Sequence, residues 1–414
     1  MLRANDRGGY TVPTARLYPF QWNWDAAFVA MGWATFDQGR AWDEIEFLLR
    51  GQWEDGMMPQ IVFHAPSDDY FPGPEVWGVA RDPQTSGITQ PPVLATAVRK
   101  LLEAGRDRNG TEARAAEAYP HLVSSHRWWR RARDPAGTGL VASLHPWETG
   151  MDNSPAWDRA LDRVPAETTT SIRRRDTAHI DASARPRGID YQRFIHLVDL
   201  YRAERWDAAR LWRVSPFRVA DVGTNAILLR AEEDLLALAR RFGAASERVE
   251  IVERIARQRG AITGLWHDKL ALFTSRDLIA GTPIEAGTSA GFLPLWGGIG
   301  TAAQIDALVG TLRRWAARGA YLVPSADPED ARFELARYWR GPVWAIVNWM
   351  IADGLSRAER RNWARRILDQ TRELIERSGF SEYFVPIAGR PLGGSAFSWT
   401  AAIYLLLADA RAAG

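Results

Sequence analysis

The chain has 414 residues, 46% hydrophobic and 25% charged, and its 52 basic side chains nearly balance 50 acidic ones. A length of this order calls for two cores or one large closed architecture; the arginines are interleaved with acids rather than gathered into an arm, which argues against a nucleic-acid partner, and no apolar run approaches the roughly 18 residues that cross a bilayer. With no cysteine and no apolar leader in MLRANDRGGYTVPTARLYPF, a cytoplasmic protein without disulfides or a membrane anchor is expected.

The first marked segment, Tyr18-Pro-Phe-Gln-Trp22-Asn-Trp24-Asp25, leads into a helix predicted over 24–36. Asp25 reads either as an N-cap or as an acceptor for sugar hydroxyls between stacking indoles. A second helix over 39–50 is followed by a long Gly-, Pro- and Trp-rich connection, 51–87. Within it His64–Trp77 has the composition of a mobile loop carrying two rings, Tyr70 and Trp77, and is predicted to form a lid around 64–80. Thr85-Ser-Gly-Ile-Thr-Gln90-Pro-Pro opens a helix over 88–105, with Gln90 either a satisfied loop amide or a ligand; another helix covers 112–131.

Next comes His145-Pro-Trp147-Glu148-Thr-Gly150-Met-Asp152-Asn-Ser154-Pro155-Ala-Trp157-Asp158. Gly150 and Pro155 mark a turn, Ser154 with Pro155 reads as the start of a weak helix over 155–163, and Asp152 is displayed on the loop before that cap. Arg173-Arg174-Arg175, followed by Asp176, reads as a solvated surface run. Arg185-Pro-Arg187-Gly-Ile-Asp190-Tyr191 enters a helix over 190–211. Further helices follow over 217–242, 246–260 and 302–316, the last with Ile305, Leu308, Val309, Leu312 and Trp315 on one face. Arg337-Tyr338-Trp339-Arg340-Gly-Pro-Val-Trp344 starts a helix over 339–354, and Arg340 is equally readable as a structural ion-pair partner. After 357–377, Ser381-Glu382-Tyr383-Phe384 sets a carboxylate among rings, either on the surface or in a site that repays its desolvation. The last helix, 398–412, follows Phe397.

Strands alternating at period two are almost absent. Short and long connections alternate between paired helices, so a ring of helical hairpins in a single domain, 1–414, is expected, with functional loops at one end. The 20 tryptophans, many beside Gly, Pro, Asp or Asn, suit a carbohydrate cleft. The seven histidines show no metal-ligand spacing and no phosphate-binding glycine loop occurs, so neither metal nor cofactor is expected. A terpene cyclase, which also lines an α/α barrel with rings, would need an Asp-rich motif that is absent. A non-catalytic sugar-binding toroid is the other alternative, and self-association into a homo-oligomer is compatible with this composition.

Taken in order, WNWDAAF, TSGITQPPV, HPWETGMDNSPAWD, YWRGPVWAIVNW, EYF and FSWTAA resemble glycoside hydrolase family 63, most closely its mannosylglycerate and glucosylglycerate hydrolases, over nearly the whole chain. The resemblance implies an all-α (α/α)6 barrel and hydrolysis of an α-glycoside with inversion, with Asp152 as the acid and Glu382 as the base. It also implies a hexose shell of Tyr18, Trp22, Trp24, Asp25, Gln90, Trp147, Gly150 and Trp344, and an aglycone side of Arg185, Tyr191, Tyr338, Trp339 and Tyr70. The partner is then a small glycoside with a carboxylate aglycone, which an arginine fork such as that of Arg185 grips bidentately. Asp152 must be protonated near neutral pH, through burial or nearby carboxylates such as Glu148, while Glu382 stays ionised. Ser395 stands where a larger polar side chain toward the aglycone is expected.

Overall fold

The computed structural model describes residues 1–105, 107–319 and 321–412. Six segments form a closed inner ring, each packed on the next: Asn23–Ala34, Leu94–Ala104, Val222–Phe242, the 3-10 segment Ser289–Leu295, Ala345–Arg357 and Ser398–Ala412, which returns to Asn23–Ala34. Outer helices back them: Gln38–Leu49 behind the first, Arg108–Arg133 behind the second, Ala245–Thr263 behind the third and Arg361–Ser378 behind the fifth. This is the expected all-α (α/α)6 barrel.

Residue pattern decides which helix goes where. Asn23–Ala34 is apolar all round and is buried from Asn23 to Trp33, as an inner helix must be. Arg361–Ser378 buries only Ala364, Ile367, Thr371, Leu374 and Ile375, one stripe at helical spacing, and turns its arginines outward. One apolar cluster runs from Leu2 to Leu407 through the ring. Among the described residues no helix is long and apolar enough to cross a membrane.

Several predicted helices depart from their expected bounds, among them the one expected over 217–242, which starts at Val222 behind its Asp221 cap. The helix expected from 88 begins at Leu94, because Pro91 and Pro92 lack N–H groups and push their predecessors to extended backbone. The one expected over 190–211 divides into Gly188–Ala203 and Ala208–Val214 at a turn where Arg205 and Trp206 have φ of 54° and 59°. The one expected from 339 starts at Ala345, since Tyr338–Arg340 is a 3-10 turn and Val343 bridges Phe384 in extended form.

Short antiparallel pairs lie between the helices. Gln21–Trp22, Ile61–Phe63 and Gln84–Thr85 form a three-stranded sheet, and Tyr383–Phe384 pairs with Pro391–Leu392 in a hairpin. The first sheet runs directly into the N-terminus of Asn23–Ala34 and the hairpin precedes that of Ser398–Ala412, so both deliver their loops to the N-terminal end of the inner ring.

Candidate active site

A cleft of about 730 Å³, its open mouth included, lies over that end. Tyr18, Trp22, Trp24, Asp25, Tyr70, Gln90, Trp147, Gly150, Asp152, Arg185, Tyr191, Tyr338 and Glu382 all line it. Its floor is therefore the positive end of several helix dipoles, a setting that favours negative charge.

The loop carrying Asp152 is held at every turn. His145, fully buried, accepts the Trp147 N–H at Nδ1 (3.0 Å) and donates from Nε2 to the Phe194 carbonyl (3.0 Å). Burial lowers its pKa to about 3, so the ring is neutral and its tautomer is set by these two bonds. Glu148 accepts from Arg133 through both oxygens (2.6 and 3.3 Å) and from the Leu144 N–H (2.8 Å). Gly150 has φ of 69°, and a Cβ there would stand 2.7 Å from the Trp24 ring, so only glycine fits. Trp157 Nε1 donates to the Met151 carbonyl (2.7 Å), and Ser154 caps the turn beginning at Pro155 as expected.

Asp152, partly buried, has its pKa raised to about 7. Burial is the main cause; Glu382 and Asp176 act in the same direction, while Arg185 and a backbone amide oppose it. The expected contribution of Glu148 is a correction: its charge is spent on Arg133, and it acts as a strut between the loop and the outer helix Arg108–Arg133.

Glu382 is 1% exposed and surrounded by donors. Its Oε1 accepts from the hydroxyls of Tyr18 (3.2 Å) and Tyr338 (3.1 Å), and Oε2 accepts the Gly394 N–H (2.9 Å). Burial raises its pKa, and Arg185, the Gly394 amide and the two hydroxyls pull it back. The hairpin can approach this closely because Gly393, at φ 73°, has no Cβ; one would lie 2.3 Å from Oε2.

Asp25 is not the N-cap of its helix, which is Trp22, but sits in the first turn with its carboxyl in the cleft. Burial raises its pKa well above the ordinary value, and Glu382 and Asp152 add to the rise. Gln90 accepts the Trp24 N–H at 3.4 Å, and Tyr191 donates to the Phe71 carbonyl at 2.8 Å. Tyr70 stands edge-on to Trp22, ring centroids 5.1 Å apart.

Arg185, 5% exposed, donates from Nε to Asp176 (3.0 Å) and from Nη2 to the Tyr18 hydroxyl (2.7 Å), with the Tyr338 ring 4.1 Å from its Cζ. Nη1 is 3.6 Å from Glu382 Oε1 and has no hydrogen-bond partner. With Asp176 on Nε and the Tyr18 hydroxyl on Nη2, Nη1 is the nitrogen of this guanidinium left without a hydrogen-bond partner.

The model for the mannosylglycerate hydrolase MGH1-like glycoside hydrolase domain matches residues 18–400. The chain belongs to this family. It is 49% identical to mannosylglycerate hydrolase MGH1 of Selaginella moellendorffii over 98% of this chain and 83% of that protein. It is 36% identical to a glucosylglycerate hydrolase of Mycolicibacterium hassiacum, over 98% and 95%. Among solved structures it superposes on the GH63 mannosylglycerate hydrolase of Thermus thermophilus in complex with Tris and D-glycerate with a TM-score of 0.95, at 48% identity, covering 98% and 97% of the two chains.

Within this glycoside hydrolase, four residues weighed for the substrate do not line the cleft. Trp339 and Trp344 do not line the cleft: they stack on each other (3.7 Å, 2°), with Trp344 also against Tyr383 (4.6 Å), and so back the wall that Tyr338 presents. Ser395 is exposed and off the lining, its carbonyl accepting from Thr14. Arg340 is the ion-pair partner of Asp158 and Glu334. In the segment expected to form a lid, Trp77 is fully buried, near Trp147 (6.1 Å) and Trp206 (5.6 Å), which anchors the part around it, and the longest largely exposed stretch is 65–69.

Sequence reasoning passed over Gln60, Phe71, Asp176, Phe397 and Trp399 as lining residues. Asp176 is the instructive one. The run before it is not wholly solvated: Arg174 lies half-buried over the Tyr191 ring (4.5 Å) and shares Asp176 with Arg185. The signal available was the acid itself, placed between an arginine run and Arg185. Among the described residues no group of three His, Asp or Glu could hold a metal ion.

Proposed function

We propose that the chain hydrolyses 2-O-α-D-mannosyl-D-glycerate with inversion, releasing mannose and D-glycerate. The observation that carries this reading is a pair of carboxyls, 230 positions apart in the sequence, that reach one aromatic cleft in different settings: Asp152 held near 7 and without an ion pair, Glu382 hydrogen-bonded by two tyrosine hydroxyls and the Gly394 amide with Arg185 3.6 Å away. The names of the relatives support the substrate.

The carboxyl of Asp152 gives its proton to the glycosidic oxygen as the bond to the anomeric carbon breaks. Glu382 takes a proton from the water that attacks that carbon from the opposite face. A carboxylate offers about four acceptor positions. Both on Oε1 are used by the two tyrosines and one on Oε2 by Gly394, so the water's proton goes to the remaining one on Oε2. Inversion calls for carboxyls roughly 6.5–9.5 Å apart, with the water between. Trp24, Trp147 and Trp22 offer ring faces to the hexose, with Asp25, Gln90 and Gly150 beside them. Arg185 with Tyr70, Tyr191 and Tyr338 receives the glycerate. No cofactor enters the reaction. The chain acts as one catalytic domain in the cytoplasm, and the segment around 64–70, not the whole of 64–80, closes as a lid.

Hydrolysis of glucosylglycerate is a second reading, favoured by the relative of that activity; the two hexoses differ at one hydroxyl. Release of hexose and D-glycerate from both glycosides, side by side, is the test, with proton NMR of the first anomer formed. Mannosylglycerate turnover giving the β-anomer first is expected. No turnover of either, or the α-anomer first, would refute the assignment.

A further inference from the structure

We propose that Asp176 is a positioning residue: by holding the Nε edge of Arg185 it keeps that guanidinium from hydrogen-bonding Glu382 directly and leaves its Nη1 end to receive the carboxylate of the aglycone. The inference rests on the hydrolase reading above and adds a residue to it.

Asp176 is itself fixed. Its Oδ2 accepts from Arg185 Nε (3.0 Å) and Arg174 Nη2 (2.6 Å), and its Oδ1 accepts from Arg174 Nε (3.0 Å). Arg174 in turn donates to the Pro186 carbonyl (2.8 Å) and lies over Tyr191. The carboxylate is thus clamped between two guanidiniums, and the flanking charges lower its pKa to about 2, which keeps it ionised throughout the working range.

Held at Nε by Asp176, at Nη2 by Tyr18 and on one face by Tyr338, and interacting with the Tyr383 hydroxyl as well, the planar guanidinium has Nη1 without a hydrogen-bond partner. Nη1 is buried without an acceptor, and a donor left in that state carries a desolvation penalty that an incoming anion relieves. Glu382 Oε1 is 3.6 Å away, outside hydrogen-bond reach. Without the pull of Asp176, Arg185 turns onto Glu382, and one ion pair then occupies both the base and the anion receptor. A merely structural Asp176, tying 173–187 to the barrel, would affect stability and leave substrate choice alone.

Asp176→Asn and Asp176→Glu are compared with wild type on mannosylglycerate and on the corresponding glycerol glycoside, which lacks the carboxylate, with D-glycerate as inhibitor. In the Asn variant the preference in kcat/KM for the anionic over the neutral glycoside should fall about tenfold or more, the size of one charge-assisted hydrogen bond, with a matching rise in the D-glycerate inhibition constant. Asp176→Glu keeps the charge but displaces the guanidinium by a methylene, and should raise KM for the glycerate glycoside while KM for the neutral one stays put. This variant carries the test if the Asn variant does not fold. An unchanged preference and inhibition constant in Asn, or equal KM changes on both substrates in Glu, would overturn the role of Asp176 alone. A wild type that hydrolyses neither glycoside overturns the hydrolase reading itself.

Discussion

As the proposed acid, Asp152 ties catalysis to stability, and Asp152→Asn separates the two. Folding raises its pKa from the ordinary 3.8 to about 7, so between those values the native protein holds a proton that the unfolded chain has released. The stabilisation is complete below the unfolded pKa and is lost as pH rises through the folded one, at no more than about 1.4 kcal/mol per pH unit. An asparagine carries no charge to desolvate. The variant should therefore melt above wild type at pH 8 and closer to it at pH 5, as differential scanning fluorimetry would record. Activity moves the other way. Loss of a general acid lowers kcat on the glycerate glycoside by a factor of about 10²–10⁴, while a dinitrophenyl mannoside, whose leaving group needs no proton, loses far less. In wild type, kcat/KM should decline above about pH 7, falling roughly tenfold for each further unit. A variant less stable than wild type at pH 8, or residual activity that keeps the same alkaline limb, would refute this account of Asp152.

Arg133→Leu leaves Glu148 buried without its partner, a change that costs about 3–5 kcal/mol and should show as a large drop in Tm, with Arg133→Leu/Glu148→Leu regaining much of it. Gly393→Ala puts a methyl 2.3 Å from Glu382 Oε2 at φ 73°; kcat should fall at least tenfold for a stability loss of only about 1–3 kcal/mol, measured by urea unfolding. D-glycerate should slow amide exchange over residues 64–70 and leave the turn Pro74–Trp77, already anchored by Trp77, unchanged in hydrogen-exchange mass spectrometry.

The barrel was readable because its helices bury complete stripes, and a stripe is a property of local spacing. The inner Asn23–Ala34 and the outer Arg361–Ser378 could be told apart from residue pattern alone. Misplaced boundaries fall where backbone chemistry overrides periodicity, at Pro91-Pro92 and at the Arg205-Trp206 turn. In the cleft, carboxyls and rings on turns were recognisable because glycine and proline forbid helix there. What could not be read was which face of a ring meets substrate. Trp339 and Trp344 have the composition of a binding motif, yet stack on each other, since two adjacent indoles bury more area together than apart. Charge partners were equally hidden: nothing in the spacing of Glu148 or Asp176 says that one is taken by Arg133, 15 positions away, and the other holds Arg185.

The charges of the cleft bear on the proposed acid and base. Asp25, Asp152, Asp176 and Glu382 meet there, and Arg185 is the guanidinium that lines it with them, with Arg174 reaching Asp176 from behind. Two cations can support two carboxylates in a partly dry site, and the arginine contacts decide which. Asp176 has both guanidiniums, and Glu382 has Arg185 at 3.6 Å with three hydrogen bonds besides. Asp152 and Asp25 have no ion pair, and burial raises the pKa of both, to about 7 for Asp152. An anionic aglycone at Nη1 takes up part of the charge of Arg185 and adds a negative charge of its own. Both effects favour a proton on Asp152 and strengthen Glu382 as a base, so under the proposed assignment the charge of the aglycone moves both groups in the directions that hydrolysis requires.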